Sequence, residues 1–221
     1  MSRIRIGVLA SGRGSNLQAI IDSVKAGRLD AEVAVVVSDV EDAHALCRAR
    51  SAGIEARYID PARKGARLSK ESERKVTEVL EEFRVDLIAL AGFMRILRTD
   101  FVRHFSGRIM NIHPSLLPSF PGLKVQKKAL EYGVKYSGCT VHFVDEGVDT
   151  GPIIIQAAVP VLEGDTEELL SNRIFKEEHR IYTEAMRLFA QGRLRIEGRV
   201  VRILPERRND AGGDESRDQR A

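Results

Sequence analysis

Residues 4–26 read IRIGVLASGRGSNLQAIIDSVKA, an apolar run, a glycine-rich turn and a helix-like segment in succession. Ile4–Ala10 is short and apolar, as expected for a parallel strand that is buried on both faces. The turn Ser11–Asn16 follows it, and Leu17–Ala26 then has apolar residues at helical spacing up to Gly27. This order predicts the first strand and helix of an α/β fold.

The alternation continues through the first half of the chain. Further strands are predicted at Glu32–Val37, Ile54–Ile59 and Asp86–Ala91, and further helices at Asp42–Ser51 and Ser69–Phe83. Strands that alternate with helices indicate βαβ units with right-handed crossovers. We therefore predict an α/β protein with a mostly parallel central sheet.

In the second half of the chain, strands and helices no longer alternate regularly. The predicted elements are a helix at Thr99–Phe105 with Thr99 as N-cap, a strand at Arg108–Ile112, a helix at about Val125–Tyr132, strands at Ser137–Val144 and Pro152–Pro160, a long helix at Asp165–Gln191 and a hairpin at Arg193–Leu204. The tail Pro205–Ala221 is polar and rich in charge and glycine, which predicts disorder. We expect one domain over residues 1–204 and a disordered tail over 205–221.

Composition excludes several classes of protein. The chain has 221 residues, and its 35 basic and 32 acidic residues give a net charge of +3, too small an excess to indicate nucleic-acid binding. It contains no apolar run of about 18 residues that would span a membrane. The two cysteines, Cys47 and Cys139, give no disulfide framework and are expected to be small packing residues. We expect a cytoplasmic protein, because the cysteines fit a reducing compartment, and no metal, because the histidines lack zinc spacing.

The turn Ser11–Asn16 is a candidate phosphate site, because glycine permits close approach and a helix N-terminus presents free N–H groups. A tight strand-to-helix turn without a ligand explains the same residues. The dinucleotide fingerprint fails because Leu17 stands at its third glycine, and the P-loop and nucleophile-elbow patterns fail as well. A mononucleotide or sugar-phosphate ligand remains. Asp39, after the second strand, reads as a turn residue or as a ribose-binding acid.

Asn111 and His113 are two residues apart, so both side chains point to one side if the strand continues through them. A carboxamide and an imidazole at the end of a strand can stabilise an oxyanion and move a proton. A structural asparagine beside a solvent-facing histidine is the alternative. Asp149, in the acidic loop Asp145–Gly151, would orient His113 and favour its charged form if the two residues meet. Loops at the carboxyl ends of parallel strands gather along one edge, which favours this contact.

Together these residues resemble a known family, the folate-dependent formyltransferases. The segments that carry the resemblance are Ser11–Ile20, Leu90–Leu97, Asn111–Pro118 and Asp145–Pro152, and it extends over about Ile4 to Leu204. The turn Gly12–Asn16 narrows it to the glycinamide ribonucleotide transformylases. The resemblance implies a Rossmann-like sheet with helices on both faces, an N-terminal mononucleotide-binding half and a C-terminal folate-binding half. It also implies formyl transfer from the co-substrate 10-formyltetrahydrofolate to the amine of N1-(5-phosphoribosyl)glycinamide in purine biosynthesis.

The resemblance implies a role for each residue that matches a functional position of the family. These are Asn111, His113 and Asp149 for catalysis; Gly14, Ser15, Asn16, Pro114 and Glu178 for the phosphate, ribose and glycinamide; and Lys70, Met94, Arg95, Ile96, Leu97, Asn111, Asp145, Glu146, Gly147, Val148 and Asp149 for folate. Asn111 would donate to the formyl oxygen, His113 would act as general acid, and Asp149 would hold His113 or an ordered water. One departure concerns the third helix, where the family has an arginine and this chain offers Lys70 or Ser69.

Three other functions remain open. A hydrolase that releases formate from the same folate would use the same three residues with water as nucleophile, and it usually carries an extra N-terminal domain. A formyltransferase that acts on charged initiator tRNA would append a C-terminal barrel. A phosphate-binding module would leave His113 and Asp149 without a role. We expect small-molecule partners, no nucleic acid and no membrane, and either a monomer or a homodimer.

Overall fold

The computed structural model describes residues 3–62 and 65–206, and every predicted helix and strand is present there. The strands are β1 (Ile4–Leu9), β2 (Ala31–Ser38), β3 (Glu55–Tyr58), β4 (Leu87–Leu90), β5 (Ile109–His113), β6 (Tyr136–Phe143), β7 (Ile153–Pro160), β8 (Leu194–Glu197) and β9 (Val200–Ile203). The helices are α1 (Ser15–Lys25), α2 (His44–Ser51), α3 (Lys70–Glu82), α4 (Thr99–His104), α5 (Val125–Tyr132) and α6 (Glu167–Ala190). The α/β prediction is therefore confirmed.

One sheet runs through the molecule in the order β3-β2-β1-β4-β5-β6-β7-β9-β8. The first five strands of this order are parallel, whereas β6 is antiparallel to both β5 and β7. The chain moves outward from β1 to β3 and then returns to add β4 on the other side of β1. In an open α/β sheet, ligands bind beside the carboxyl ends of the strands where the order reverses. The crevice between the ends of β1 and β4 is therefore the expected binding place.

The core lies on both faces of this sheet, because successive side chains of a strand point to opposite sides. In β4, Leu87 and Ala89 pack in one cluster with α1, α2 and α6, whereas Ile88 and Leu90 pack in the other with α3 and α4. All four side chains are buried. The continuous apolar runs of the parallel strands follow from this burial on two sides.

Two expectations about local structure need correction. Thr99 is the first residue of α4, and the N-cap is Arg98, whose side chain makes no capping bond. Cys47 is exposed on α2, whereas Cys139 is buried in β6 as expected. Residues 207–221, which form most of the predicted disordered tail, lie outside the described residues, and the domain boundary at 204 stays a prediction.

Candidate active site

The glycine-rich turn after β1 adopts a conformation that its sequence requires. Gly14 has φ 70° and ψ 33°, in the left-handed region that favours glycine. A Cβ on Gly14 would lie 2.9 Å from the Cα of Ala45 in α2. The amide of Ala45 also donates to the Gly12 carbonyl at 3.0 Å. Helix α2 thus packs directly on the turn and fixes its path.

The N-terminus of α1, which begins at Ser15, is open to an anion. The first turn of α1 holds no acidic residue, and no side chain caps it. The first N–H groups of a helix lack partners within the helix and carry partial positive charge. A cleft of about 1030 Å³ borders Ser15 between α1 and α6, and its lining includes Arg28, Arg48, Arg180 and Arg187. The helix N-terminus suits a phosphate. Three of the arginines are already engaged, Arg48 by the Arg13 carbonyl, Arg180 by Glu177 and Arg187 by Glu184.

Asn16 and Glu178 form a buried polar pair beside the turn. The Asn16 amide Nδ2 donates to Glu178 Oε2 at 2.8 Å, and both residues are buried. Burial raises the pKa of the Glu178 carboxyl, and the bond from Asn16 lowers the pKa only in part. The Asn16 carbonyl Oδ1 is buried without a hydrogen-bond partner. Such a group costs free energy, so it points to a donor that a ligand would bring.

The end of β5 brings the predicted catalytic side chains together. The strand continues through Asn111 to His113, as the two-residue spacing required. His113 Nδ1 lies 3.4 Å from Asp149 Oδ2, and Asn111 Nδ2 lies 3.5 Å from Asp149 Oδ1. The Asp149 side chain is 11% exposed. The nearly buried carboxylate of Asp149 thus contacts both His113 and Asn111. Pro114, the next residue after His113, is half-buried.

Both ring nitrogens of His113 have partners. Nε2 lies 3.0 Å from the carbonyl oxygen of Phe120, which can only accept, so Nε2 carries a proton. Nδ1 faces the Asp149 carboxylate. The ring thus carries a proton on Nε2 and is held at Nδ1 by a carboxylate, which fits a group that delivers a proton.

His142 belongs to this cluster, although the sequence indicated no role for it beyond a rejected metal site. It lies directly opposite Asn111 in the antiparallel β5–β6 pair. Its Nδ1 lies 2.9 Å from the Phe143 carbonyl and therefore carries the proton, which leaves Nε2 to accept from Asn111 Nδ2 at 3.2 Å. Burial lowers the pKa of His142, consistent with a neutral ring. His142 thereby fixes which way the Asn111 amide points.

Asp149 reaches the cluster by another route than expected. We expected loops at the carboxyl ends of parallel strands to bring Asp149 to His113. The loop that contains Asp149 instead follows β6, which is antiparallel to β5. Asp149 has φ 56°. Its Oδ2 accepts from the Gly122 amide at 2.9 Å. The loop between β6 and β7 is thereby attached to the segment that follows β5.

The predicted folate segment after β4 lies beside the start of the glycine-rich turn, because the Ser11 amide donates to the Gly92 carbonyl at 3.0 Å. Met94 is exposed, Arg95 and Ile96 are half-buried, and Leu97 is buried. The Arg95 guanidinium does not point to solvent: its Nε donates to Asp39 Oδ2 at 2.6 Å. The side chain of Arg95 is thus engaged within the protein.

The other predicted folate residues fall in two places. Asp145 organises its own loop, because its Oδ1 accepts from the Gly147 amide at 3.1 Å and from the Thr150 hydroxyl at 2.6 Å. Glu146, Gly147 and Val148 are exposed along this loop. Lys70 instead begins α3 and lines a groove of about 550 Å³ between α3 and α4 that includes none of the other predicted folate residues described.

The departure in the third helix has a structural explanation. Ser69 is the N-cap of α3, and its hydroxyl accepts from the Ser72 amide at 2.9 Å. Its side chain is therefore committed to the helix, and Lys70 is the exposed cation next to it.

Tyr182 connects helix α6 with strands β4 and β5. It follows Glu178 by one turn of α6, is fully buried, and its hydroxyl lies 3.0 Å from the Leu90 carbonyl and 2.9 Å from the Met110 carbonyl. The first carbonyl belongs to the last residue of β4, and the second belongs to the second residue of β5. Burial raises the pKa of the Tyr182 phenol well above its ordinary value, so it remains a donor.

Two absences concern the part of the chain that the structure describes, residues 3–62 and 65–206. No group of three or more His, Cys, Asp and Glu side chains there is arranged to hold a metal ion. No helix in that part of the chain is long and apolar enough to cross a membrane.

Comparison with known proteins adds independent findings. Residues 4–186 match the formyl transferase family. The chain is 44% identical over 193 residues to the phosphoribosylglycinamide formyltransferase of Escherichia coli strain K12, covering 87% of this chain and 90% of that protein. It is 50% identical over 206 residues to the trifunctional purine biosynthetic protein adenosine-3 of Drosophila pseudoobscura pseudoobscura, covering 92% of this chain and 15% of that protein. The chain thus spans only a small part of the trifunctional relatives.

The chain is also similar to solved structures of proteins that act on formyl groups. The crystal structure of glycinamide ribonucleotide transformylase 1 from Symbiobacterium toebii superposes with a TM-score of 0.88 at 60% identity, covering 92% of this chain and 95% of that one. A formyltetrahydrofolate deformylase from Pseudomonas syringae pv. tomato superposes with a TM-score of 0.84 at 26% identity, covering 92% of this chain and 66% of that one.

Proposed function

The chain belongs to the formyl transferase family, and from this membership we propose that it transfers the formyl group of 10-formyltetrahydrofolate to the amine of N1-(5-phosphoribosyl)glycinamide in purine biosynthesis. The relative from Escherichia coli, of which the chain covers 90%, is named for this reaction. The observation that carries the proposal is the convergence of Asn111 and His113 on Asp149, within 3.5 Å, at the end of β5. A cytoplasmic location stays a prediction.

The acceptor binds with its phosphate at the glycine-rich turn. Free amides at the start of α1, with Gly14, Ser15 and Asn16, receive the phosphate oxygens. A ribose hydroxyl donates to the unpartnered Asn16 Oδ1, next to the Glu178 carboxyl. The glycinamide then extends toward Pro114 and the end of β5.

The donor binds along the segment after β4 and the loop between β6 and β7. Met94–Leu97 forms one side of its site, and residues 145–149 form the other. Lys70 offers a cation to the anionic glutamate tail of the folate.

The reaction is a direct transfer. The amine nitrogen attacks the formyl carbon, a new C–N bond forms, and the bond from that carbon to the folate nitrogen breaks. One Asn111 N–H bonds to His142, and the other makes only the 3.5 Å contact with Asp149, so this second N–H is available to bond to the developing oxyanion. The departing folate nitrogen gains a proton from His113, and the proton that the attacking nitrogen loses restores the one on His113.

His113 delivers this proton, and Asp149 holds its ring. In the structure the His113 Nε2–H is bonded to the Phe120 carbonyl, so it must leave this carbonyl before it can reach a substrate. His142 is a positioning residue, because its neutral ring accepts from Asn111 and orients the amide. No acyl-enzyme forms, since the donor is already activated and the acceptor is a good nucleophile.

The second candidate is hydrolysis of the same folate, which the similarity to the deformylase from Pseudomonas syringae favours. The deciding experiment measures tetrahydrofolate release from 10-formyltetrahydrofolate with and without glycinamide ribonucleotide. Release that depends on the acceptor and yields formylated acceptor in equal amount supports the transferase. Equal release without the acceptor supports the hydrolase, and no release in either case supports a binding module.

A further inference from the structure

Three residues that follow three different strands form one hydrogen-bonded network at the crevice, with a buried carboxylate at its centre. Ser11 follows β1, Asp39 follows β2 and Arg95 follows β4. Arg95 Nε donates to Asp39 Oδ2 at 2.6 Å, and the Ser11 hydroxyl donates to Asp39 Oδ1 at 2.5 Å. The Met94 amide in turn donates to the Ser11 hydroxyl oxygen at 2.9 Å. One carboxylate thus ties the start of the glycine-rich turn to the folate segment.

The carboxylate at the centre of this network lies in the interior. The Asp39 side chain is only 3% exposed and that of Arg95 only 17%. A carboxylate removed from water needs both partners and hydrogen bonds, and each oxygen of Asp39 has one donor. Arg95 Nη1 also donates to the carbonyl of Gly65, and the Ile96 amide donates to the Ala66 carbonyl at 2.7 Å. The folate segment is therefore fixed from two sides.

We propose that Asp39 is a positioning residue for formyl transfer: through Arg95 and Ser11 it sets where the main chain of Met94–Leu97 meets the donor folate. This inference rests on the proposed function. Asp39 does not touch a substrate in it. Transfer requires the amine and the formyl carbon to approach to about 3–3.5 Å, so a small shift of the donor segment relative to the phosphate turn is costly.

The phosphate turn does not depend on this network to the same degree. Its Gly12 carbonyl accepts from Ala45, its Arg13 carbonyl accepts from Arg48 at 2.9 Å, and the Ser11 amide donates to the Gly92 carbonyl at 3.0 Å. Loss of Asp39 should therefore loosen the donor segment and leave the acceptor site in place.

The main variant is Asp39→Asn, which keeps the shape and removes the charge. We expect the KM for 10-formyltetrahydrofolate to rise on the order of 10-fold, while the KM for glycinamide ribonucleotide changes less than about 2-fold. The Kd of tetrahydrofolate, measured by equilibrium titration without turnover, should rise by a similar factor. Arg95→Lys keeps the charge and should give an intermediate rise, because one ammonium cannot reach both Asp39 and the Gly65 carbonyl.

Asp165→Asn is the matched control. Asp165 is also a carboxylate with a 3% exposed side chain, and Arg173 binds it with nitrogens at 2.7 and 2.9 Å. It lies before α6 and outside the proposed site. A purely structural role for Asp39 predicts the same pattern in both variants, namely a lower melting temperature with both KM values unchanged.

Ser11→Ala keeps the ion pair and tests the network if Asp39→Asn does not fold. It should raise the same donor KM about threefold, since the Met94 amide loses its partner. Unchanged donor KM and unchanged tetrahydrofolate Kd in Ser11→Ala or in folded Asp39→Asn would overturn the inference. If the wild type releases tetrahydrofolate without glycinamide ribonucleotide, the proposed function fails, and the tetrahydrofolate titration still decides the role of Asp39.

Discussion

The phosphate turn and the catalytic cluster are built in opposite ways. The turn is six consecutive residues, Ser11–Asn16, whose shape follows from local glycine conformation and from the packing of α2. The cluster joins Asn111 to His142 and Asp149, which are 31 and 38 positions further along the chain. Binding is thus encoded locally, whereas the chemistry depends on strand pairing. Substitutions in the turn should therefore weaken the binding of glycinamide ribonucleotide, whereas substitutions in the cluster should lower the rate of transfer.

The largest effect is expected for Asn111→Ala. Removal of an oxyanion donor should lower kcat by about 100- to 1000-fold and leave the KM for glycinamide ribonucleotide nearly unchanged. Steady-state kinetics of formyl transfer measure both. Asn16→Ala in the turn is the counterpart and should raise that KM with little change in kcat. If both variants lowered kcat alike, the proposed division between the two regions would be wrong.

Gly14→Ala tests how the turn is built. Its left-handed φ costs an alanine roughly 1–2 kcal/mol, and the new Cβ would meet the Ala45 Cα at 2.9 Å. We expect the free energy of unfolding to fall by about 2 kcal/mol or more, with a higher KM for glycinamide ribonucleotide. Gly12→Ala is the control in the same turn, since nothing lies within 4 Å of its Cβ, and it should change stability by less than about 1 kcal/mol. Equal losses in both variants would contradict this explanation.

Glu178→Gln should change the pH dependence of stability. Burial raises the pKa of Glu178, so the folded state holds its proton more tightly than the unfolded state does. The stability from this group is complete below the ordinary glutamate pKa and is lost as the pH rises through the folded pKa. Glutamine does not titrate and removes that loss. The free energy of unfolding of the variant, relative to that of the wild type, should therefore increase as the pH rises. Urea unfolding at several pH values tests this, and a variant whose stability follows that of the wild type at every pH would contradict it.

The smallest expected effect is a difference in thiol labelling between the two cysteines, which lie in different halves of the chain. Burial raises the pKa of Cys139 to about 12, whereas Cys47 is exposed. At pH 8 a thiol reagent should label one cysteine per native chain and two after unfolding, because the thiolate is the nucleophile. Cys47→Ser should remove the native label. Labelling of Cys139 in that folded variant would show that β6 is more open than the structure indicates.

The contrast between the two regions also explains what the sequence could predict. Apolar runs and helical spacing were sufficient for every helix and strand, and the spacing of Asn111 and His113 correctly predicted that both face one side. The position of His142 opposite Asn111 depends on the β5–β6 register, which no local pattern contains. The engagement of Arg95 by Asp39 likewise joins residues 56 positions apart.

The central claim is that His113 and Asp149 act as one unit in formyl transfer. Its most direct test compares kcat for His113→Ala, Asp149→Ala and the double variant in acceptor-dependent transfer. We expect both single variants to lose most of the rate and the double variant to be no more than a few-fold slower than the slower single one, because groups that act together are not additive. A double variant whose loss equals the product of the two single losses, or one that keeps wild-type activity, would contradict it.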